Sequence, residues 1–178
     1  MNKVLIVIDA QEDFTRGALR NKEAIQALPV IHNAVEYAVE NNMKIIYTQD
    51  THREDYFSTQ EGRKLPVPHC IYQTVGWTIC PEVEVDTAKV IRKQTFGYPH
   101  WDVTLNPSTD EIWLCGFCTD ICVIANFQIL KATFPEIPIT VISDACAGVT
   151  PELHEAALKV MASCQANIKT WSELKCDK

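Results

Sequence analysis

Five consecutive apolar residues, Val4-Leu5-Ile6-Val7-Ile8, end abruptly at Asp9. A run with no polar alternation has both faces covered, as a strand buried within a parallel sheet does. Segments of that kind alternate with helical ones along the chain. Lys22 to Asn41 carries apolar residues at Ile25, Leu28, Ile31, Val35, Tyr37 or Ala38, and Val39, a helical spacing stopped by Asn41-Asn42. Further strands are expected at Lys44–Thr48, at Lys89–Arg92 ending on Lys93, at Glu111–Cys115 closed by Gly116, at Pro138–Ile142 and at Asn167–Lys169. Thr119-Asp120 opens an apolar helical run to about Thr133, with Thr119 as its N-cap. Thr150-Pro151-Glu152-Leu153 starts another, reaching about Ser163, with Thr at the cap, Pro at the first position and Glu in the first turn.

Strands alternating with helices predict βαβ units. The expected fold is therefore α/β, a single Rossmann-like three-layer domain over residues 1–178, with a mostly parallel sheet and helices on both faces. In such sheets ligands bind outside the carboxyl ends of the strands. Asp9, Asp50, Lys93 and Gly116–Cys122 all fall at predicted strand ends, so residues far apart in sequence converge on one edge. The one long irregular stretch, residues 50–87, is rich in polar residues and prolines, and loops of that length usually serve function.

Composition narrows the function classes. With 178 residues, 47% hydrophobic and 22% charged, the chain is neither disordered, collagen-like nor a coiled coil. Sixteen Lys plus Arg against 23 Asp plus Glu give a net charge of −7, which repels phosphate backbones, so nucleic acid is not an expected partner. No apolar run approaches ~20 residues, so no membrane span is expected. The leading apolar run is too short for a signal-peptide core, which points to the cytoplasm. In that compartment most of the eight cysteines should be reduced, small and buried. The Gly-x-x-x-x-Gly-Lys, Gly-x-Gly-x-x-Gly and Gly-x-Ser-x-Gly motifs are absent, which removes phosphate-cradling and serine-hydrolase chemistry.

Three residues at strand ends could carry chemistry. Cys122 falls in the first helical turn after the fourth strand, where free N–H groups and the helix dipole would lower a thiol pKa; the competing reading is a small buried residue. Asp9 could cap a loop or act as general base toward the thiol. Lys93 could be a solvated surface charge or a cation that stabilises a thiolate and fixes the carboxylate. Cys115-Gly-Phe-Cys118 also reads as a C-x-x-C redox pair, but Cys115 lies inside a predicted strand, where it would be inert.

Asp9 in Val-Ile-Asp-Ala-Gln-Glu-Asp-Phe14, Lys93 in Val-Ile-Arg-Lys-Gln-Thr-Phe96, and Cys122 in Gly-Phe-Cys-Thr-Asp-Ile-Cys-Val resemble the isochorismatase-like cysteine hydrolases, over nearly the whole chain. That resemblance implies an Asp9-Lys93-Cys122 triad, a cis peptide entering Cys118, and an oxyanion hole formed by the N–H groups of Cys118 and Cys122. Isochorismatases proper lack the nucleophilic Cys, so its presence favours amide hydrolysis.

Asp50-Thr-His52, Glu61 and Pro68-His69 form a second constellation, an acid–imidazole set suited to one divalent metal, Zn with Fe or Mn as alternatives. Asp-x-His followed by Pro-x-His or Pro-His is similar to the metal-binding nicotinamidases, one branch of which uses a Glu at the offset of Glu61. The departures are Leu65 where an aromatic is usual, Gln73 where Gly is usual, and a short segment after Lys93. Phe14, Phe96 and Trp101 are the aromatic candidates for a slot holding a flat substrate, or else ordinary core residues. The expected reaction is hydrolysis of a small-molecule amide, nicotinamide to nicotinate plus ammonia in the first instance. Another small amide or N-carbamoyl compound, or a non-catalytic metal- or ligand-binding module on the same fold, are the alternatives. The resemblance also suggests a homo-oligomer, a dimer or tetramer.

Overall fold

Strand β1, Lys3–Ile8, lies at the centre of the molecule, and Leu5, Ile6, Val7 and Ile8 are all fully buried. The computed structural model describes residues 2–176; Met1, Asp177 and Lys178 of the expected 1–178 span lie outside the described residues. The remaining strands are β2 (Lys44–Asp50), β3 (Lys89–Lys93), β4 (Glu111–Phe117), β5 (Ile139–Ala147) and β6 (Asn167–Lys169). The helices are α1 (Glu12–Thr15), α2 (Lys22–Glu40), α3 (Gln60–Lys64), α4 (Trp101–Thr104), α5 (Ile124–Thr133), α6 (Pro151–Ser163) and α7 (Trp171–Cys176). All six strands pair in parallel, in the order β3-β2-β1-β4-β5-β6. The chain direction across the sheet reverses between β1 and β4, and a crevice opens at the carboxyl ends beside such a switch point.

The α2 face that packs on the sheet is Ala24, Ala27, Leu28, Ile31, Ala34, Val35 and Ala38. Ile25 and Val39, read as apolar face positions, are instead exposed, because each lies one residue, about 100° of helix rotation, past the sheet-facing Ala24 and Ala38. Asn21 caps α2 by accepting from the N–H groups of Glu23 and Ala24. Asn42, in the stop, turns at φ +53.

Three strands run past their expected ends, among them β2, which continues from Thr48 to Asp50. β4 passes through Gly116 to Phe117, with a register shift against β5 between Leu114 and Gly116. Gly116 has φ +116, and a Cβ there would lie 2.0 Å from the Ile8 carbonyl oxygen, so the close β1–β4 approach requires glycine. β5 continues past Ile142 through Ser143-Asp144, whose polarity hid it, and Asp144 accepts from the Trp171 N–H at the start of α7. No helix among the described residues is long and apolar enough to cross a membrane.

Candidate active site

The end of β1 delivers Asp9 into the crevice with φ +47, a left-handed conformation that costs a non-glycine residue roughly 1–3 kcal/mol and is found mostly at functional sites. The residue is fully buried. Thr48, beside it on β2, donates its hydroxyl to Asp9 Oδ1 at 2.7 Å. Lys93 ends β3 in register with Asp50, and its Nζ lies 2.6 Å from Asp9 Oδ2, 3.5 Å from Asp50 Oδ1 and 3.6 Å from Cys122 Sγ. The side chains of Asp9 and Lys93 are 0% and 1% exposed, so the pair is removed from water and each charge depends on the other.

The electrostatics follow from that burial. Desolvation favours a neutral Lys93, yet Asp9, Cys122 and Asp50 outweigh it and hold the ammonium well above its ordinary pKa. Burial raises the Asp9 carboxyl, with Lys93 opposing. Burial also pushes the Cys122 thiol well above its ordinary value, against the pull of Lys93. The sequence led to the opposite expectation for this thiol, which the helix start was to lower. The difference lies in depth, because Cys122 is only 5% exposed.

The segment between β4 and α5 also differs from a capped helix start. Phe117–Cys118 is a cis peptide, and Thr119–Val123 forms a π-helical turn in which the N–H groups of Ile121 and Val123 both donate to the Cys118 carbonyl. Thr119 makes no side-chain cap; its Oγ1 instead meets His154 Nδ1 of α6 at 2.8 Å. Cys115 lies fully buried inside β4, and burial raises its thiol well above the ordinary value. Cys118 is half-buried, with its thiol pushed up to about 12 by burial, and both remain free thiols.

Asp50, His52, Glu61 and His69 converge on the same crevice, each offering one ligand atom, with these atoms within 4.8 Å of one another. His52 Nε2 stands 3.0 Å from Asp50 Oδ2 and 3.6 Å from Glu61 Oε1, yet it is buried without a hydrogen bond of good geometry. His69 Nδ1 is engaged by the Val67 carbonyl at 2.9 Å, which turns Nε2 toward Asp50 and Glu61 at 3.7 and 3.5 Å. Two imidazole nitrogens facing two carboxylates, one nitrogen left unsatisfied, suit a divalent cation of intermediate softness. The donor set fits a metal.

A family model for the isochorismatase domain matches residues 3–173. The chain belongs to the isochorismatase family. Among solved structures it is similar to a nicotinamidase/pyrazinamidase from Bacillus subtilis, at 25% identity and TM-score 0.84 over 95% of this chain and 100% of that one. It is similar to a pyrazinamidase of Pyrococcus horikoshii in complex with zinc, at 25% identity and TM-score 0.83 over 96% and 99%. An N-carbamoylsarcosine amidase from Thermoplasma acidophilum shares the fold at 21% identity and TM-score 0.80, over 96% and 97%. No curated protein matches the chain by sequence.

In this isochorismatase-family chain the crevice opens into a cavity of about 1070 Å³. Asp50, His69, Cys118 and Cys122 line it, with Phe14 and Phe96 on its walls. Trp101 does not reach it, which corrects its placement in a substrate slot. Its ring is fully buried, packs edge-on against Tyr98, and donates Nε1–H to Asn126 Oδ1 at 3.1 Å. An indole with its one donor satisfied inside the core has nothing to offer a ligand.

Several supporting residues carried no signal of their own. Gln11 accepts from the Asp50 N–H at 2.7 Å and donates to the Asp50 carbonyl at 2.9 Å, clamping the backbone of that residue. Asp13 accepts from the Cys70 N–H at 2.6 Å and from the Ala18 N–H at 2.9 Å, fixing the residue after His69. Asn126 donates to the carbonyls of Cys122 and Phe96. Gln11 and Asp13 stand in the same short motif as Asp9, the only hint of them in the sequence. Gln73 adopts φ +66, the conformation for which the family's usual glycine is suited.

Proposed function

We propose that this protein hydrolyses a small primary amide through Cys122, Asp9 and Lys93, with nicotinamide to nicotinate plus ammonia as the leading reaction. It is a hydrolase of carbon–nitrogen bonds other than peptide bonds. One observation carries the assignment: a buried ammonium 2.6 Å from a carboxylate and 3.6 Å from the sulfur of a cysteine that lines a ligand-sized cavity. A binding module has no use for that arrangement, since burying a charge pair costs free energy.

With its pKa raised, Cys122 rests as a thiol. Asp9, whose carboxylate shares the Lys93 ammonium with the Cys122 sulfur, takes the thiol proton as the sulfur attacks the amide carbon. The N–H groups of Cys118 and Cys122 are assigned to the oxyanion that forms. Collapse breaks the carbon–nitrogen bond, Asp9 returns its proton to the departing nitrogen, and ammonia leaves a Cys122 thioester. Water then adds to the thioester carbon as Asp9 accepts a proton, and collapse releases the acid and restores the thiol. Lys93 keeps its proton throughout, balancing Asp9 or the sulfur, whichever is anionic.

Asp50, His52, Glu61 and His69 would hold the metal, with zinc the leading identity. A metal there would supply a Lewis acid toward a ring nitrogen and so orient a nicotinamide-shaped substrate. Phe14, buried beside His69 with ring centroids 6.2 Å apart, and Phe96 offer apolar walls to the ring. An N-carbamoyl compound presents the same carbonyl chemistry without the ring.

The test is ammonia release from nicotinamide, pyrazinamide, benzamide and an N-carbamoyl amino acid. Nicotinamide should exceed benzamide by a large factor in kcat/KM, because benzamide has no ring nitrogen. Equal rates on those two, or a faster carbamoyl compound, would defeat the nicotinamidase assignment and leave only the cysteine-hydrolase class.

A further inference from the structure

Asp50, His69, Cys122 and Phe14 line the cavity from buried positions at its floor, whereas Arg20, Lys22 and Lys64 line it from exposed positions at its mouth. These three cations come from two separate segments, one entering α2 and one ending α3. None of them makes an ion pair or a side-chain hydrogen bond among the described residues. The contrast with the rest of the chain is sharp, because the net charge is −7. Of the lining acids, Asp50 and Glu61 face the two imidazoles, which leaves Glu23 as the one other carboxylate against three cations. The mouth is therefore a positive collar on an acidic protein, and such a collar draws anions into the cavity below it.

Size points the same way. Pockets for drug-sized ligands run from about 300 to 1,000 Å³, and this one is about 1070 Å³. A one-ring amide with its carbonyl at Cys122 would occupy only part of that volume. We propose that the preferred substrate is a pyridine amide bearing an anionic group on its ring, a carboxylate or a phosphate, which the Arg20, Lys22 and Lys64 side chains receive at the mouth. This inference rests on the amidase reading and names its substrate class. Bare nicotinamide is then a truncated substrate, which forfeits the remote binding energy that an enzyme converts into rate.

The experiment uses matched pyridine amides that differ only in their far charge. 5-Carbamoylnicotinate is compared with its methyl ester, and the phosphate ester of 5-hydroxynicotinamide with 5-hydroxynicotinamide itself, with nicotinamide as reference. Each pair is run with the wild type and with the Arg20→Gln/Lys22→Gln/Lys64→Gln variant. The anionic member of at least one pair should lead by about tenfold in kcat/KM, since three exposed charge pairs each contribute modestly. That ratio should collapse toward one in the variant. The pair with the larger ratio identifies carboxylate or phosphate as the group received.

Should the triple variant fail to fold, wild-type protein in about 0.5 M salt, where the Debye length is about 4 Å, should show the same collapse. Ammonia from nicotinamide with no preference in either pair would overturn the inference and leave the amidase reading intact. A preference that survives both the substitutions and the salt would overturn it as well. No ammonia from any of the five amides would overturn both.

Discussion

At the scale of single residues, burial and a neighbouring cation pull the Cys122 thiol in opposite directions. Burial is the larger effect and Lys93 the chief opposing one. Lys93→Met removes the opposing effect, so the thiol pKa must rise further. Iodoacetamide labelling of Cys122 against pH should shift its midpoint upward in the variant, and an unchanged profile would remove Lys93 from the site. The same substitution leaves Asp9 buried without its cation, so stability should fall by about 3–5 kcal/mol, read by urea unfolding. The placement of Asp9 and Lys93 was legible in the sequence because each closes an apolar run at a strand end, and that of Cys122 because it follows such a strand in the turn that opens the next helix. Gln11, Asp13 and Asn126 were not legible as supports, since each acts on backbone groups of distant segments. Trp101 stood open between slot and core in the sequence, because an aromatic that fills a core and one that walls a cavity look alike there, and the structure puts it in the core.

At the scale of elements, the turn between β4 and α5 is held from two sides. Thr119 reaches His154 on α6, and Asp120 accepts from the Val149 N–H at 2.9 Å. From within, Asn126 on α5 grips the Cys122 carbonyl at 2.8 Å and receives Tyr98 N–H and Trp101 Nε1–H. Asn126→Leu strands those groups in the core and should cost about 1–3 kcal/mol for each one left unsatisfied, measured by the denaturation midpoint. Thr119→Val and His154→Leu should each lower kcat more than they raise KM, and the double variant should lose no more than either alone. Additive losses would show that the contact does not support the turn. The strand order's chemistry was readable from apolar runs, while the π-helical entry was not, because Thr followed by an apolar helix matches an ordinary cap. The extension of β5 was hidden by Ser143-Asp144, a polar break whose register only the β4 partner reveals.

For the whole molecule, the sheet's reversal between β1 and β4 brings Asp9, Lys93 and Cys122 to the same edge as the Asp50, His52, Glu61 and His69 cluster, with Lys93 and Asp50 in register between them. The two sites are thus electrostatically joined. Protein purified without chelator should carry about one equivalent of Zn, Fe or Mn, and His52→Ala or His69→Ala should each lose it. Removing the metal should also lower the melting temperature, by the linkage that gives about 2.7 kcal/mol at a hundredfold excess over Kd. Retention of metal by both variants would place it elsewhere. The central claim is that Cys122 carries the acyl group, and rapid acid quench of the enzyme during turnover of nicotinamide, followed by fragment mass spectrometry, tests it directly. The account predicts a nicotinoyl thioester on Cys122, with Cys118 unmodified. Acylation of Cys118, or undiminished ammonia release by Cys122→Ala, would contradict it.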